Sequence, residues 1–316
     1  MKGSLTLSEA IKLDNSSPDA QAALLGTNLR IALQNMLTNP KHVLHLDGTN
    51  PTNGNGESWD TAFNSPNSAF DRINELAVED PGKVYTLKIA PDFYIVTTEI
   101  ELTANRCHIL AVGAPEDTVF FGSDLTEHML TVKSGYNIFS GLTFYNDLDT
   151  HGALSFDDVV GGGAYGGFSI VENCQFSPQA VDGQNYGIHI KGGNFIEISG
   201  CRFQATKQAG IWYESGVGNS VRVRIQNSLF IGCNNGIELT GAAYNWISYN
   251  NIFVDGSEAA GENYNMSILT TAAHTAGSII DVNGKHGGAA AANCFTNGGG
   301  GGTIQAINPT YIVTVP

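Results

Sequence analysis

Between Gly141 and Phe253 apolar side chains alternate with polar ones in short runs, and each run closes on the same phrase. It reads Gly141-Leu-Thr-Phe144, Asn173-Cys-Gln-Phe176, Gly200-Cys-Arg-Phe203, Asn227-Ser-Leu-Phe230 and Asn250-Asn-Ile-Phe253, with steps of 32, 27, 27 and 23 residues between the Phe positions. Two residues before each Phe stand Leu142, Cys174, Cys201, Ser228 and Asn251; five before it stand Phe139, Val171, Ile198, Ile225 and Ser248. Period-two alternation predicts strands with one buried face. A whole unit repeating at this interval predicts a solenoid, whose units bury that face only by stacking on one another. The Asn or Gly three residues before each Phe fits a tight bend, because both tolerate positive φ. A second phrase, Gly187-Ile-His-Ile190, Gly210-Ile-Trp-Tyr213 and Gly236-Ile-Glu-Leu239, falls between the later Phe phrases. The units lack the Leu spacing and helix-length periodicity of other repeat folds. The pattern therefore predicts an all-β parallel β-helix with columns of like side chains inside.

The pattern changes at both ends. In residues 1–40, Ser17-Pro18-Asp19 reads as a helix start, and Leu25, Leu29, Ala32, Leu33 and Met36 form an apolar stripe that Asn39-Pro40 ends. This segment is read either as a lid on the open end of the solenoid or as an anchor that binds a partner through Leu25, Leu29, Leu33 and Met36. The polar lead-in tilts the reading to the anchor. Residues 41–256 form the β-helix. Residues 257–316 are a Gly/Ala-rich region in which the regularity fades, ending in Thr303-Ile-Gln-Ala-Ile307 and Tyr311-Ile-Val-Thr-Val315. Two uncharged β-branched strands at the end suit pairing with neighbouring chains, so a homotrimeric seam is expected there.

The opening of the solenoid carries a more specific signature. His42-Val-Leu-His-Leu-Asp47 is a strand ending in Asp47-Gly48; a loop with Trp59 follows, then a helix capped by Ser68 with Phe70, Ile73 and Leu76-Ala77 on one side. The strand Val84 to Ala90 leads into Ile89-Ala90-Pro91 and Tyr94. This order resembles the opening of the pectate-lyase-like right-handed β-helix superfamily, which includes pectin-degrading enzymes, surface proteins and the tailspikes and other virion spikes of tailed bacteriophages. The resemblance covers roughly residues 43–256 and implies a right-handed coil. One fold hosts many functions, so it leaves the chemistry open.

Composition narrows the partners. The formal net charge of −15 argues against nucleic acid or an anionic membrane, and 38 Gly with 14% charged residues suit many strands joined by sharp turns. No apolar run at the N-terminus could serve as a secretory signal, so synthesis in a cytoplasm is expected, and no stretch approaches membrane-spanning length. The five Cys show no metal-ligand spacing and are read as buried free thiols. No cofactor and no metal are called for.

Aligning the second phrase puts His189, Trp212 and Glu238 in one outward column. Trp beside a carboxylate and an imidazole is a surface on which a sugar ring stacks, and the competing reading is an intersubunit contact. The insertion after Asp147 holds Asp149, His151, Asp157 and Asp158. Its Asp147-x-Asp149-x-His151-Gly152 only faintly matches a calcium loop, since His replaces an oxygen ligand and no closing Glu follows. Polygalacturonases place paired Asp before His-Gly and add Asn-Thr-Asp and Arg-Ile-Lys; here the order is reversed and both companions are missing. Pectate lyases set calcium-binding Asp against an Arg base. Arg202, Arg222 and Arg224 face no such cluster, and Glu197 with Arg224 reads as a surface ion pair.

The sequence thus favours a structural or host-recognition component of a tailed-phage virion: a trimeric spike, fibre or decoration protein that is docked through residues 1–40 and binds host surface glycan. The alternative is a polysaccharide depolymerase, a hydrolase or lyase, with acids drawn from Asp157, Asp158, Glu197, Glu214 and Glu238. A bacterial surface adhesin is a third reading and requires an export route.

Overall fold

The computed structural model describes residues 42–146, 151–157, 168–177, 185–192, 195–214, 222–240, 243–254, 266–270, 277–287, 294–297 and 303–312. The chain is a right-handed parallel β-helix. Strands recur in the order A, B, C, and each pairs in parallel with its counterpart one coil away, which produces three long sheets. Sheet A runs from His42–Leu46 to Thr303–Ile307, sheet B from Asp92–Val96 to Thr310–Ile312, and sheet C from Ile100–Leu102 to Phe295–Asn297.

The Phe phrases are the A-to-B bends with the sheet B strands that follow. Gly141, Asn173, Gly200, Asn227 and Asn250 all have positive φ, between 51° and 72°, so the bend demands residues that enter the left-handed region cheaply. Beyond each bend the Phe points inward. Phe144, Phe176, Phe203, Phe230 and Phe253 stack as near-parallel rings with centroids 4.7–5.2 Å apart, close to the spacing of neighbouring strands. The second phrase accommodates this stack. A Cβ on Gly187, Gly210 or Gly236 would come within 2.7 Å of the ring of Phe203, Phe230 or Phe253, so these glycines are there for space.

Beside the Phe column, Cys174, Cys201, Ser228 and Asn251 form a second inward file. It turns polar towards the C-terminus: Ser228 N donates to Asn251 Oδ1 (2.8 Å), and Cys201 N donates to Ser228 Oγ (3.2 Å). All five Cys are free and buried, and burial pushes the Cys174 thiol up to about 12.

Three expectations need correction. The helix after the Trp59 loop, α1 (Pro66–Glu79), starts two residues before Ser68; its N-cap is Ser65, and Pro66 takes the first turn because its missing N–H costs nothing there. Its face of Ala69, Phe70 and Ile73 is buried, and it touches the first strand of all three sheets. It therefore lies across the N-terminal end of the solenoid; residues 1–40, read as a lid or an anchor, fall outside the described residues together with Leu25, Leu29, Leu33 and Met36. The solenoid also continues past residue 256. Gly277–Val282 and Thr303–Ile307 extend sheet A, and Lys285–Gly287 and Thr310–Ile312 extend sheet B. Asn283 and Asn308 keep the positive-φ bend, while His286 and Tyr311 take the Phe position, and His286 stacks on Phe253 at 5.1 Å. Substitution of that ring hid two coils. Finally, Glu197 and Arg224 are paired in register on the outer face of sheet A, but Glu197 is 1% exposed and accepts from Gln226 Nε2 (2.9 Å). It is not a surface ion pair.

Candidate functional site

The outer face of sheet C gathers most of the chemistry-bearing side chains. Its strands pair so that Thr131, Ser155, His189, Trp212 and Glu238 occupy one column at successive coils. The residue after each strand forms a second column, tied by Asp157 N to Val132 O (3.0 Å), Lys191 N to Phe156 O (2.9 Å) and Glu214 N to Ile190 O (3.0 Å). The strand-exit edge therefore presents Lys133, Asp157, Lys191 and Glu214, opposite charges alternating at the coil spacing.

Alignment does not make the first column open. His189 is 2% exposed and Glu238 6%, while Trp212 is half-buried. The Trp212 ring stacks on both His189 (4.2 Å, 17°) and Tyr186 (4.3 Å, 16°), so the coil below already occupies one of its faces. Glu238 is enclosed by amides: Gln208 Nε2 donates to Oε1 (3.1 Å) and Asn235 Nδ2 to Oε2 (2.9 Å), while Tyr186 Oη donates to Gln208 Oε1 (2.7 Å). Burial raises its pKa, and the two amide hydrogen bonds act against that shift. The expected trio of His189, Trp212 and Glu238 thus shares a column without forming an open platform. Alternation decides which face a side chain leaves by, and here neighbouring side chains close over it.

A directed chain of imidazoles runs beneath. Gly152 N lies 3.0 Å from His128 Nδ1, His128 Nε2 lies 3.1 Å from His189 Nδ1, and His189 Nε2 lies 3.2 Å from Glu214 Oε2. Two tautomer patterns are open to the pair, because His128 Nδ1 either accepts from Gly152 N–H (3.0 Å) or, protonated, donates to Gly152 O (3.3 Å). In one, His128 Nδ1 accepts from Gly152 N–H, and both rings carry the proton on Nε2, which places an N–H against the Glu214 carboxylate. The other places a bare nitrogen lone pair against that carboxylate. Electrostatics selects the first. The last contact lies off the direction of a well-formed hydrogen bond, and Nε2 of His189 is buried without a directed partner. Burial lowers His128 to about 4 and His189 to about 2, so both are neutral at pH 7. Glu214, with a side chain 47% exposed, is where this chain reaches the surface.

Among the described residues, the four sequence-derived acids do not form one cluster. Glu197 faces outward from sheet A; Asp157, Glu214 and Glu238 belong to sheet C; Asp158 lies outside the described residues, as do Asp147 and Asp149. His128, Tyr186, Gln208 and Asn235 escaped the sequence reading. Tyr186 and Asn235 had a usable signal, since each immediately precedes the Gly of the second phrase.

The family described as periplasmic copper-binding protein (NosD) matches residues 134–288, a little under half of the chain. No curated protein matches in sequence. Among solved structures, rice weevil pectin methyl esterase aligns with a TM-score of 0.59 at 9% identity, over 97% of this chain and 96% of that one. A pectin methylesterase in complex with a hexasaccharide aligns with a TM-score of 0.54 at 11% identity, over 82% and 81%. A mannuronic-acid-specific polysaccharide family 6 lyase from human gut microbiota aligns with a TM-score of 0.52 at 14% identity, over 76% of this chain; the chain spans 58% of that lyase. These likenesses establish the pectate-lyase-like β-helix fold and nothing finer. Among the described residues no three His, Cys, Asp or Glu are arranged to hold a metal ion, and His128 and His189 Nδ1 spend their nitrogens on the imidazole chain.

Proposed function

We propose that this chain is a structural, host-recognition component of a tailed-phage virion, which binds surface glycan along the outer face of sheet C. The observation that carries the glycan part is the exit-edge row of Lys133, Asp157, Lys191 and Glu214 beside the half-buried Trp212. Donors and acceptors repeat there once per coil, roughly every 4.8 Å, which suits a linear polymer of hydroxyl-bearing units lying along the solenoid axis. The fold's kinship with polysaccharide-acting proteins agrees with this reading. Placement in a virion draws on α1, which covers the first coil, so that the solenoid does not require residues 1–40 as a lid and an anchor role suits them.

The depolymerase reading keeps one specific observation in its favour: Glu214 stands at the surface end of the imidazole chain, where a carboxylate backed by an N–H can exchange a proton with a substrate. Incubation with host surface polysaccharide followed by sizing separates the two. Intact glycan co-eluting with the protein, and lost from it in Trp212→Ala, supports recognition. Shortened chains, no longer produced by Glu214→Gln, would replace recognition with cleavage. Deleting residues 1–40 should abolish incorporation into particles while leaving glycan retention unchanged.

A further inference from the structure

We propose that the outer face of sheet B is a self-association surface on which a second copy of this chain packs. The inference is independent of the glycan reading, which concerns sheet C, and it extends the expected seam from the C-terminal strand Thr310–Ile312 along the whole of sheet B. Two outward columns make up the face. One runs through Ile95, Phe121 and Tyr145, then Ser177 and Gln204, then Ile231 and Val254; the other runs through Phe93 and Val119, then Thr143, Gln175 and Arg202, then Leu229 and Ile252. Phe93 and Ile95 are 49% and 60% exposed and Val254 is 40% exposed, and Phe93 stacks on Phe121 at 5.3 Å. Single exposed apolar residues mean little; two apolar blocks on one sheet, Phe93, Ile95, Phe121 and Tyr145 at one end and Leu229, Ile231, Ile252 and Val254 nearer the other, mark an interaction surface with a polar middle.

Charge identifies the occupant. The chain carries 30 acids against 15 Lys and Arg, yet these two columns contain Arg202 and Lys285 and no carboxylate. Glu116 reaches the face at Gln175, from its margin. The outward columns of the other sheets do carry acids: Glu197 on sheet A, and Glu101 and Glu238 on sheet C. Two copies of so acidic a chain repel one another through most approaches, and the sheet B face is where that repulsion is smallest and apolar area is available to bury. Sugar is the poorer fit. The exposed end offers Phe93 and Ile95 with no polar group between them to meet hydroxyls. Nine strands at about 4.8 Å span roughly 40 Å, ample length for a stable interface.

The salt response follows from the same charges. An interface without ion pairs between copies that otherwise repel strengthens as salt screens the repulsion. Sedimentation velocity on the full chain at low and high salt should find an oligomer favoured by salt. Ile95→Glu combined with Phe93→Glu should weaken it by about a hundredfold, since each places a charge in a buried apolar contact. Both side chains are exposed, so thermal unfolding of the variant monomer should match wild type. Val254→Glu should weaken association by a smaller factor, and Val78→Glu, on α1, should leave it unchanged. A wild-type chain that is monomeric at high salt, an oligomer that survives the double variant, or association that weakens with salt would each overturn the proposal. So would a double variant that loses glycan retention while its oligomeric state stays unchanged.

Discussion

Gly236 and Phe253 show how tightly one residue constrains another in this solenoid. A Cβ on Gly236 would sit 2.5 Å from two ring carbons of Phe253 and 2.6 Å from the Ser267 carbonyl, and none of these can retreat inside a packed stack. Gly236→Ala should therefore destabilise the protein by about 1–3 kcal/mol, measured by chemical denaturation. Phe203→Ala, which leaves a gap between two stacked rings, should cost about 3–5 kcal/mol. The imidazole pair sets a pH limit. His128 titrates near 6.5 when unfolded and near 4 when folded, so as pH falls from 6.5 towards 4 the unfolded chain takes up a proton that the folded chain refuses. Stability is full above 6.5 and declines by a few kcal/mol across that window. His189 extends the decline to lower pH. His128→Gln should flatten the wild-type slope of stability against pH between 7 and 5, and an unchanged slope would show that the pair is not its source. The column that holds His189 was legible because a repeat fixes register. His128 was not, because its partner lies 61 residues away and no phrase links their coils.

At the scale of elements, the bend and the cap do different work. The bends were readable from single residues, since only Gly, Asn and a few others accept φ near 50–70° without strain. Asn227→Gly should be nearly neutral and Asn227→Ala should cost about 1–2 kcal/mol, a difference that equilibrium unfolding resolves. The last two coils were unreadable because they keep the bend and change the ring: Asn283-Gly-Lys-His286 and Asn308-Pro-Thr-Tyr311 do not look like the Phe phrase until the strands are seen to pair. The cap was only half legible. The apolar side of α1 could be read from spacing, but its contact with three sheets at once is a tertiary fact. Phe70 is fully buried in that contact, so Phe70→Ala should speed amide exchange first in the strands next to α1, namely His42–Leu46, Asp92–Val96 and Ile100–Leu102.

Across the whole molecule, interior and exterior answer to different constraints. The interior is set by neighbour-to-neighbour stacking and is nearly the same from coil to coil, which is why a repeat read from one dimension specifies it. The exterior has no such period. Sheet C carries the charged edge, sheet B two apolar blocks in columns without acids, and sheet A a covered cluster of Ile138, Ile170 and Phe195. Each face is a separate invention on a common scaffold.

The helix across the first coil also gives the molecule a direction in time. The coils nearest α1 are the earliest of the described residues to leave the ribosome, so α1 can cover their apolar end while the later coils are still being made. Each later coil then meets a finished edge, with Phe rings and bends already in register, and adds one strand per sheet. Synthesis itself becomes the template, and the long chain separations that slow most parallel sheets are crossed one coil at a time.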